Sequence, residues 1–304
     1  MKRLVRSIAD LKAYLNMAKK IISDIAISAV FYNKPQTLFK ALLERYVGKQ
    51  EVQYRVLIEW YRNLAMVFKY CTKVRLLRTC GNSMLYCESI DKLKWLVRWL
   101  VFSDVCSGAL LPYCLEPYEY HKWFLRHIDE IVTFIDVGAY VGGYSIRACK
   151  HGVKVISIEP DPDNFKLLTI HSKLNNCQNR IELLNIAAGD EMHEATLYVA
   201  NPGRQGQNNL LGIGKPKAVV RVMPLDSVID YSALDEPVMM KIDVEGHEVK
   251  VLKGSRNTLS KTKFLIIEIR HWNLDYVIQF LHSLGFRVVD WRGVNYFFVN
   301  KEFK

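Results

Sequence analysis

An apolar run that ends in an acid and breaks into glycines constrains this chain most: Phe134-Ile135-Asp136-Val137-Gly138-Ala139-Tyr140-Val141-Gly142-Gly143-Tyr144-Ser145. Apolar residues on both parities fit a strand covered on both faces, the situation of a parallel sheet. The glycines allow a tight turn and let a ligand come close to the backbone. The helix that follows offers free N–H groups and a positive dipole end. The spacing is Asp136-x-Gly138-x-x-x-Gly142, and Tyr140 stands where dinucleotide folds place a central glycine. The fingerprint Gly-x-Gly-x-x-Gly is therefore not met. A ligand with an adenosine and an amino-acid tail but no phosphate, such as S-adenosylmethionine, suits the turn better.

A glycine turn alone is often only a turn, so the context decides. Val153 to Asp161 is a second buried-strand run closing on Glu159-Pro160-Asp161. In doubly wound sheets an acid at the second strand's tip, about twenty residues after the first turn, accepts hydrogen bonds from ribose hydroxyls. Glu159 falls in that window. Asp163 to Asn176 has helical spacing, and Ile181 to Ala188 is a third strand candidate closing on Gly189-Asp190. Val238 to Glu248 reads as a fourth strand running into a helix, and Phe264 to Ile269 as a fifth. Phe286 to Trp291 and Tyr296 to Val299 flank Gly293 as a terminal hairpin. Strand alternating with helix argues an α/β, doubly wound sheet with ligands at the carboxyl ends of its strands. Asp136, Glu159, Asp243 and Glu268 all fall at such ends.

The strings FIDVGAYVGGYS, ISIEPDPDNFKLL, NIAAGD, MPLDSVI, KIDVEGHEVKVLKGS and FLIIEI resemble, in order and spacing, the FkbM-type methyltransferases. The resemblance runs from about Tyr118 to the C-terminus, and Lys241 to Gly246 is its most specific part. It implies a Rossmann-like, S-adenosylmethionine-dependent enzyme, in most cases an O-methyltransferase acting on hydroxyls of glycans, lipids or natural products. Tyr140 departs from the pattern, which commonly has asparagine there. By resemblance, Asp136, Gly138, Ala139 and Gly142 surround the methionine part of the cofactor. Glu159 holds the ribose, and Asp190 is a candidate for the adenine amino group.

Transfer to an alcohol requires alignment of acceptor and methyl group, and a base to help remove the proton. Candidate bases are Asp243, Glu245, His247, Glu268 and His271, with Asp243 and Glu245 favoured and Glu268 supporting. Each has a plainer reading: Glu245 as a first-turn acid of the next helix, the histidines as solvated or capping groups. No metal site is expected, although clustered carboxylates are also what Mg2+ requires.

Between the third and fourth strands, Thr196–Val199 and Val219–Val222 look like hairpin arms around the Gly/Asn-rich stretch Asn201–Lys217. That stretch is either a connection or a lid over substrate, and Asn208 and Asn209 could hydrogen-bond a polyol. The chain of 304 residues, half of them hydrophobic, is long enough for two units. A boundary near residue 115 separates a basic N-terminal domain from a methyltransferase domain over 116–304. Nothing resembles a signal peptide or a spanning helix. Seven cysteines without a Cys-x-x-Cys pair indicate neither zinc nor a disulfide framework, which fits a reducing cytoplasm.

Charge is unevenly placed. Met1 to Arg126 holds 21 Lys and Arg against 10 Asp and Glu, which accounts for the whole net charge of +11. This portion reads as mainly helical over Leu4–Val30, Gln36–Tyr46 and Gln53–Tyr70. A hairpin candidate around Gly81-Asn82 follows, then a basic helix over Ile90–Phe102. Such a region can rest on anionic lipid, follow a nucleic-acid backbone, or be a solvated face of a substrate-recognition subdomain. The expected function is methylation of a hydroxyl on a sugar, glycolipid or related small molecule, with peripheral membrane contact as a further possibility. The alternatives are an RNA ribose methyltransferase and a cofactor-binding module without catalysis.

Overall fold

The computed structural model describes residues 71–79, 82–89, 92, 94–99, 121–200 and 208–303. These fall into two units, one within Met1–Leu115 and one within Glu116–Lys304. The first contributes an antiparallel sheet of β1 (Cys71–Thr79), β2 (Asn82–Ser89) and β3 (Lys94–Trp99) in the order β1-β2-β3. The hairpin around Gly81-Asn82 is thus present, pairing Thr79 with Asn82. The expected basic helix over Ile90–Phe102 is not: Lys94–Trp99 is a strand paired to β2. Trp95 and Trp99 are four residues apart, which suits one helical turn and equally two strand periods, and cross-strand pairing wins. The membrane reading of the basic N-terminal region therefore loses this segment as a helical face. The three helices expected before Tyr70 lie outside the described residues.

The second unit opens with α1 (Lys122–His127) and is organised by a seven-stranded sheet. Its strands are β4 (Thr133–Val137), β5 (Lys154–Ile158), β6 (Ile181–Leu184), β11 (Val238–Ile242), β12 (Thr262–Glu268), β13 (Phe286–Arg292) and β14 (Asn295–Asn300). The order is β13-β14-β12-β11-β4-β5-β6, with the first five in sequence parallel and the terminal hairpin antiparallel. Every residue of β4 and of β11 is buried, which explains why both read as continuous rather than alternating patterns. The chain runs outward from β4 to β5 and β6, then returns to β4's other side with β11. The strand order therefore reverses at β4, and a crevice opens beyond its carboxyl end.

Helices connect these strands: α2 (Gly143–Lys150) follows β4 and α3 (Pro162–Leu174) follows β5. Asp161 caps α3 by accepting from the Asp163 and Asn164 amides at 2.8 and 3.4 Å. The main core joins the sheet interior to Val251, Leu252, Val277, Phe280 and Leu281. The last three belong to α7 (Leu274–Ser283), where their spacing of three and four makes one buried stripe. The shorter helices α4 (Leu225–Val228), α5 (Glu248–Lys253) and α6 (Arg256–Ser260) flank β11 in sequence.

The run Ile181–Ala188 is not one strand. Asn185 breaks it by donating its side-chain amide to the Glu159 and Pro160 carbonyls at 2.8 and 3.2 Å. The residues after it, β7 (Ala187–Ala188), join a separate small sheet with β8 (His193–Val199), β9 (Asn208–Asn209) and β10 (Lys215–Met223). The expected hairpin arms are β8 and β10, which pair antiparallel. Cys149 of α2 and Cys177 beyond α3 form a disulfide, against the expectation from the cysteine pattern. The partners lie 28 residues apart and meet only when their helices dock, so no short motif announces them. The cysteine argument for a reducing cytoplasm is withdrawn with it. Among the described residues no helix is long and apolar enough to cross a membrane.

Candidate active site

The turn after β4 brings Asp136, Gly138, Ala139 and Gly142 together. The Gly138 and Ala139 amides donate to the Ile158 carbonyl at 3.0 and 2.9 Å, tying the turn to the tip of β5. Gly138 has φ +78°, and a Cβ there would collide with the backbone carbonyl of Asp243. Only glycine meets both demands. Gly142 caps α2 and donates to the Ala139 carbonyl at 2.9 Å. Asp136 is buried, and its Oδ2 accepts from the Ser145 hydroxyl at 2.5 Å and the Ser145 amide at 3.2 Å. Its Oδ1 has no hydrogen-bond partner among the described residues. Burial raises the Asp136 pKa, opposed by the charge of Lys241.

Glu159 sits one residue past β5, within reach of the same turn. Its carboxylate accepts from the Tyr140 amide at 2.8 Å, the Asp161 amide at 3.0 Å and the Asn164 side chain at 3.3 Å. Burial pushes its pKa up to about 8, with those amides pulling the other way. Tyr140 has φ +54°, a left-handed conformation that asparagine or glycine adopts more readily. This departure from the family pattern therefore falls at a strained backbone position whose amide holds Glu159.

Asp243, Glu245 and Glu268 converge at the tips of β11 and β12, each offering an oxygen within 4.8 Å of the others. The Asp243 amide donates to the Val137 carbonyl at 3.0 Å, which seats this group beside the glycine turn. Glu245 has φ +54° and Gly246 φ +106°, so the chain turns sharply between β11 and α5. A Cβ on Gly246 would lie 2.7 Å from Leu211 Cδ1 and 3.7 Å from Trp272 Cζ2. Burial, then the Asp243 charge, pushes Glu245 up to about 7. The same two causes, in that order, push Glu268 to about 7 as well.

Two cations complete the group, and sequence reasoning passed over both. Lys241 is buried, donates to Asp243 Oδ2 at 3.1 Å and lies 3.9 Å from Asp136 Oδ1. Its Nζ also sits 5.2 Å from the centre of the Tyr144 ring. Arg270 Nη2 donates to Glu245 Oε2 and lies 2.9 Å from Glu268 Oε1. A lysine inside a fully buried strand was the available signal for the first; for the second, the signal was an arginine two residues past a strand-tip acid. The carboxylate spacing can hold a divalent cation. In this structure Lys241 and Arg270 supply the positive charge.

Four candidates have partners of their own. The partners of Asp190 are Lys250, at 3.8 Å, and His247, rather than Glu159 or the glycine turn. The residue at the tip of β6 that touches the Glu159 backbone is Asn185. His247 precedes α5, and burial lowers its pKa to about 4, leaving it neutral. Asn209 is not open to a polyol. Its side chain accepts from the Leu211 and Ile213 amides at 3.0 and 3.2 Å and donates to the Ile213 carbonyl at 3.0 Å. Asn208 donates to Asp161 Oδ2, and Lys217 Nζ reaches the same oxygen at 2.5 Å, which pins the small sheet to the loop after Glu159.

A sheet that reverses at a glycine turn, with acids at the neighbouring strand tips, is the architecture of S-adenosylmethionine-dependent methyltransferases. Residues 136–288 match the Methyltransferase FkbM domain, half of the chain, and the chain belongs to that family. Its methyl donor is S-adenosyl-L-methionine. The residues present fit that group: Asp136 carries a buried oxygen without a hydrogen-bond partner, and the turn has no Cβ at Gly138 or Gly142. The hexuronic acid methyltransferase AglP of Haloferax volcanii is 30% identical over 151 residues, 49% of this chain. The match spans 60% of that relative's length. Similar solved structures include a SAM-dependent methyltransferase from Agrobacterium tumefaciens, with TM-score 0.42 and 10% identity over 73% of this chain and 70% of that one. A precorrin-6y C5,15-methyltransferase from Geobacter metallireducens has TM-score 0.33 and 14% identity over 55% of this chain and 77% of that one.

Proposed function

We propose that this enzyme methylates a hydroxyl of a sugar or glycan. The observation that carries the reading is the convergence of Asp243, Glu245 and Glu268 beside the glycine turn, with Gly138 packed on the Asp243 carbonyl. A carboxylate is already a nucleophile and needs no base, whereas an alcohol gains from one. A base works best when its pKa lies near the working pH, and Glu245 and Glu268 are both pushed up to about 7. The name of the relative from Haloferax volcanii supports a sugar as the acceptor.

Residues divide into two roles. Asp136, Gly138, Ala139 and Gly142 would hold the methionine end of the cofactor, and Glu159 the ribose. The cofactor supplies an activated methyl group on a sulfonium centre. Asp243 and Glu245 would accept the hydrogen bond from the acceptor hydroxyl, and one of the two would take its single proton. Arg270 fixes the rotamers of Glu245 and Glu268, and Lys241 ties Asp243 to Asp136 across the two halves of the site. The test is transfer of labelled methyl from S-adenosylmethionine into monosaccharides, oligosaccharides, lipid extracts and RNA presented separately. Label confined to the sugar fractions is expected; label in RNA or lipid alone would overturn the acceptor class.

A further inference from the structure

Trp272 is the exposed aromatic side chain nearest in sequence to the acid cluster, two residues after Arg270. It is 58% exposed, so its indole surface is open to a ligand. Its turn, His271–Asn273, is held in place rather than loose. Asn273 donates to Glu248 Oε2 at 3.3 Å and to the Gly246 carbonyl at 3.4 Å, and the His271 ring packs edge-on against the indole at 4.8 Å. Across Gly246 stands Leu211, 42% exposed, in the loop that Asn209 clamps from within. A buried hydrogen-bonding residue thus fixes one apolar wall, and a bonded turn fixes the other. Between them lies Gly246, the residue after Glu245, where a Cβ would meet both walls.

We infer that Trp272, faced by Leu211, is the platform on which the acceptor sugar lies while its hydroxyl points to Asp243 and Glu245; this rests on the proposed sugar methylation. A pyranose has an apolar face of C–H groups and a rim of hydroxyls. The first matches an indole surface and the second matches carboxylates. Gly246 links the two, because a Cβ there would lie 3.7 Å from the indole and the residue follows Glu245 directly in the chain. A flat aromatic platform selects for ring-shaped acceptors and excludes open-chain alcohols, so Trp272 is a specificity-determining residue.

The experiment uses the full chain saturated with S-adenosylhomocysteine and methyl β-D-glucuronide as the probe. Saturation-transfer NMR on the probe's ring C–H protons is read for the wild type, Trp272→Ala, Trp272→Phe and Trp291→Ala. Trp291 is also exposed, at 65%, but lies on the terminal hairpin, and serves as the control. Ring-proton transfer is expected in the wild type and Trp291→Ala, reduced in Trp272→Phe and absent in Trp272→Ala, with S-adenosylhomocysteine affinity unchanged in all four. For a sugar acceptor that is turned over, Trp272→Ala should raise KM by roughly tenfold or more with kcat little changed. Full transfer and an unchanged KM in Trp272→Ala would overturn the platform while leaving sugar methylation standing. If the wild type neither binds the glucuronide nor methylates any pyranoside, the platform and the sugar reading fall together.

Discussion

The two halves of the crevice are built differently. On the side proposed to bind the methyl donor, the polar groups around the glycine turn are largely satisfied within the protein: Glu159 accepts from three donors and Asp136 from Ser145. Backbone conformation and the absence of side chains shape that half. On the side proposed to take the acceptor, half-buried carboxylates crowd one another, and two cations keep them in place. The first half is a cradle whose geometry precedes the ligand. The second is a charge cluster in which protonation has yet to be decided near neutral pH.

Lys241 joins the halves, so its loss should have the largest effect. Lys241→Met leaves Asp136 and Asp243 without their shared cation. Stability should fall by about 3–5 kcal/mol, read by urea unfolding; a loss below about 1 kcal/mol would mean the two halves are independent. Gly138→Ala pushes a Cβ into the Asp243 carbonyl and displaces the cradle from the acid cluster. Donor affinity should drop roughly 100-fold by calorimetry, since misplacement of about 1 Å can have that effect.

The two halves should also answer pH in different readouts, Glu159 in stability and the acid cluster in activity. Glu159 has its folded-state pKa raised from 4.5 to about 8, so the folded protein holds its proton more tightly than the unfolded chain. Its contribution to stability is complete below about pH 4.5 and is lost as pH rises toward 8. Unfolding midpoints of the cofactor-free protein between pH 5 and 8.5 should decline, and Glu159→Gln should flatten the decline. Activity should instead rise through about pH 7, because the base must be ionised and Glu245 and Glu268 titrate there. A rate that falls from pH 6 to 8 would contradict a carboxylate base. The smallest effect should come from chelation: with Lys241 and Arg270 already neutralising the acids, EDTA should change turnover by less than about twofold. Abolished activity restored by Mg2+ would make the carboxylates metal ligands.

The contrast also explains what the sequence disclosed. Gly138 and Gly142 could be recognised because their role is conformational, and a glycine at a turn is local information. Glu159 could be placed because its distance from the turn is set by one helix and one strand. The acids of the second half were visible one by one, but not the cations that hold them. Arg270 reaches back 25 residues to Glu245, a relation that exists only once β11 and β12 pair. Ile181–Ala188 looked like one strand, whereas Asn185 diverts the chain into the small sheet, so Asp190 follows β7 rather than the tip of β6. The Cys149–Cys177 bond was hidden for the same reason as Arg270: packing, not spacing, brings its ends together.

In the proposed function, donor binding and proton removal belong to separate halves of one crevice. Asp243→Asn and Glu245→Gln test it most directly, with S-adenosylmethionine affinity by calorimetry and labelled-methyl transfer measured on the same preparations. Donor affinity should stay within about twofold of wild type while transfer falls roughly 100-fold or more. Full turnover in both variants would contradict the account.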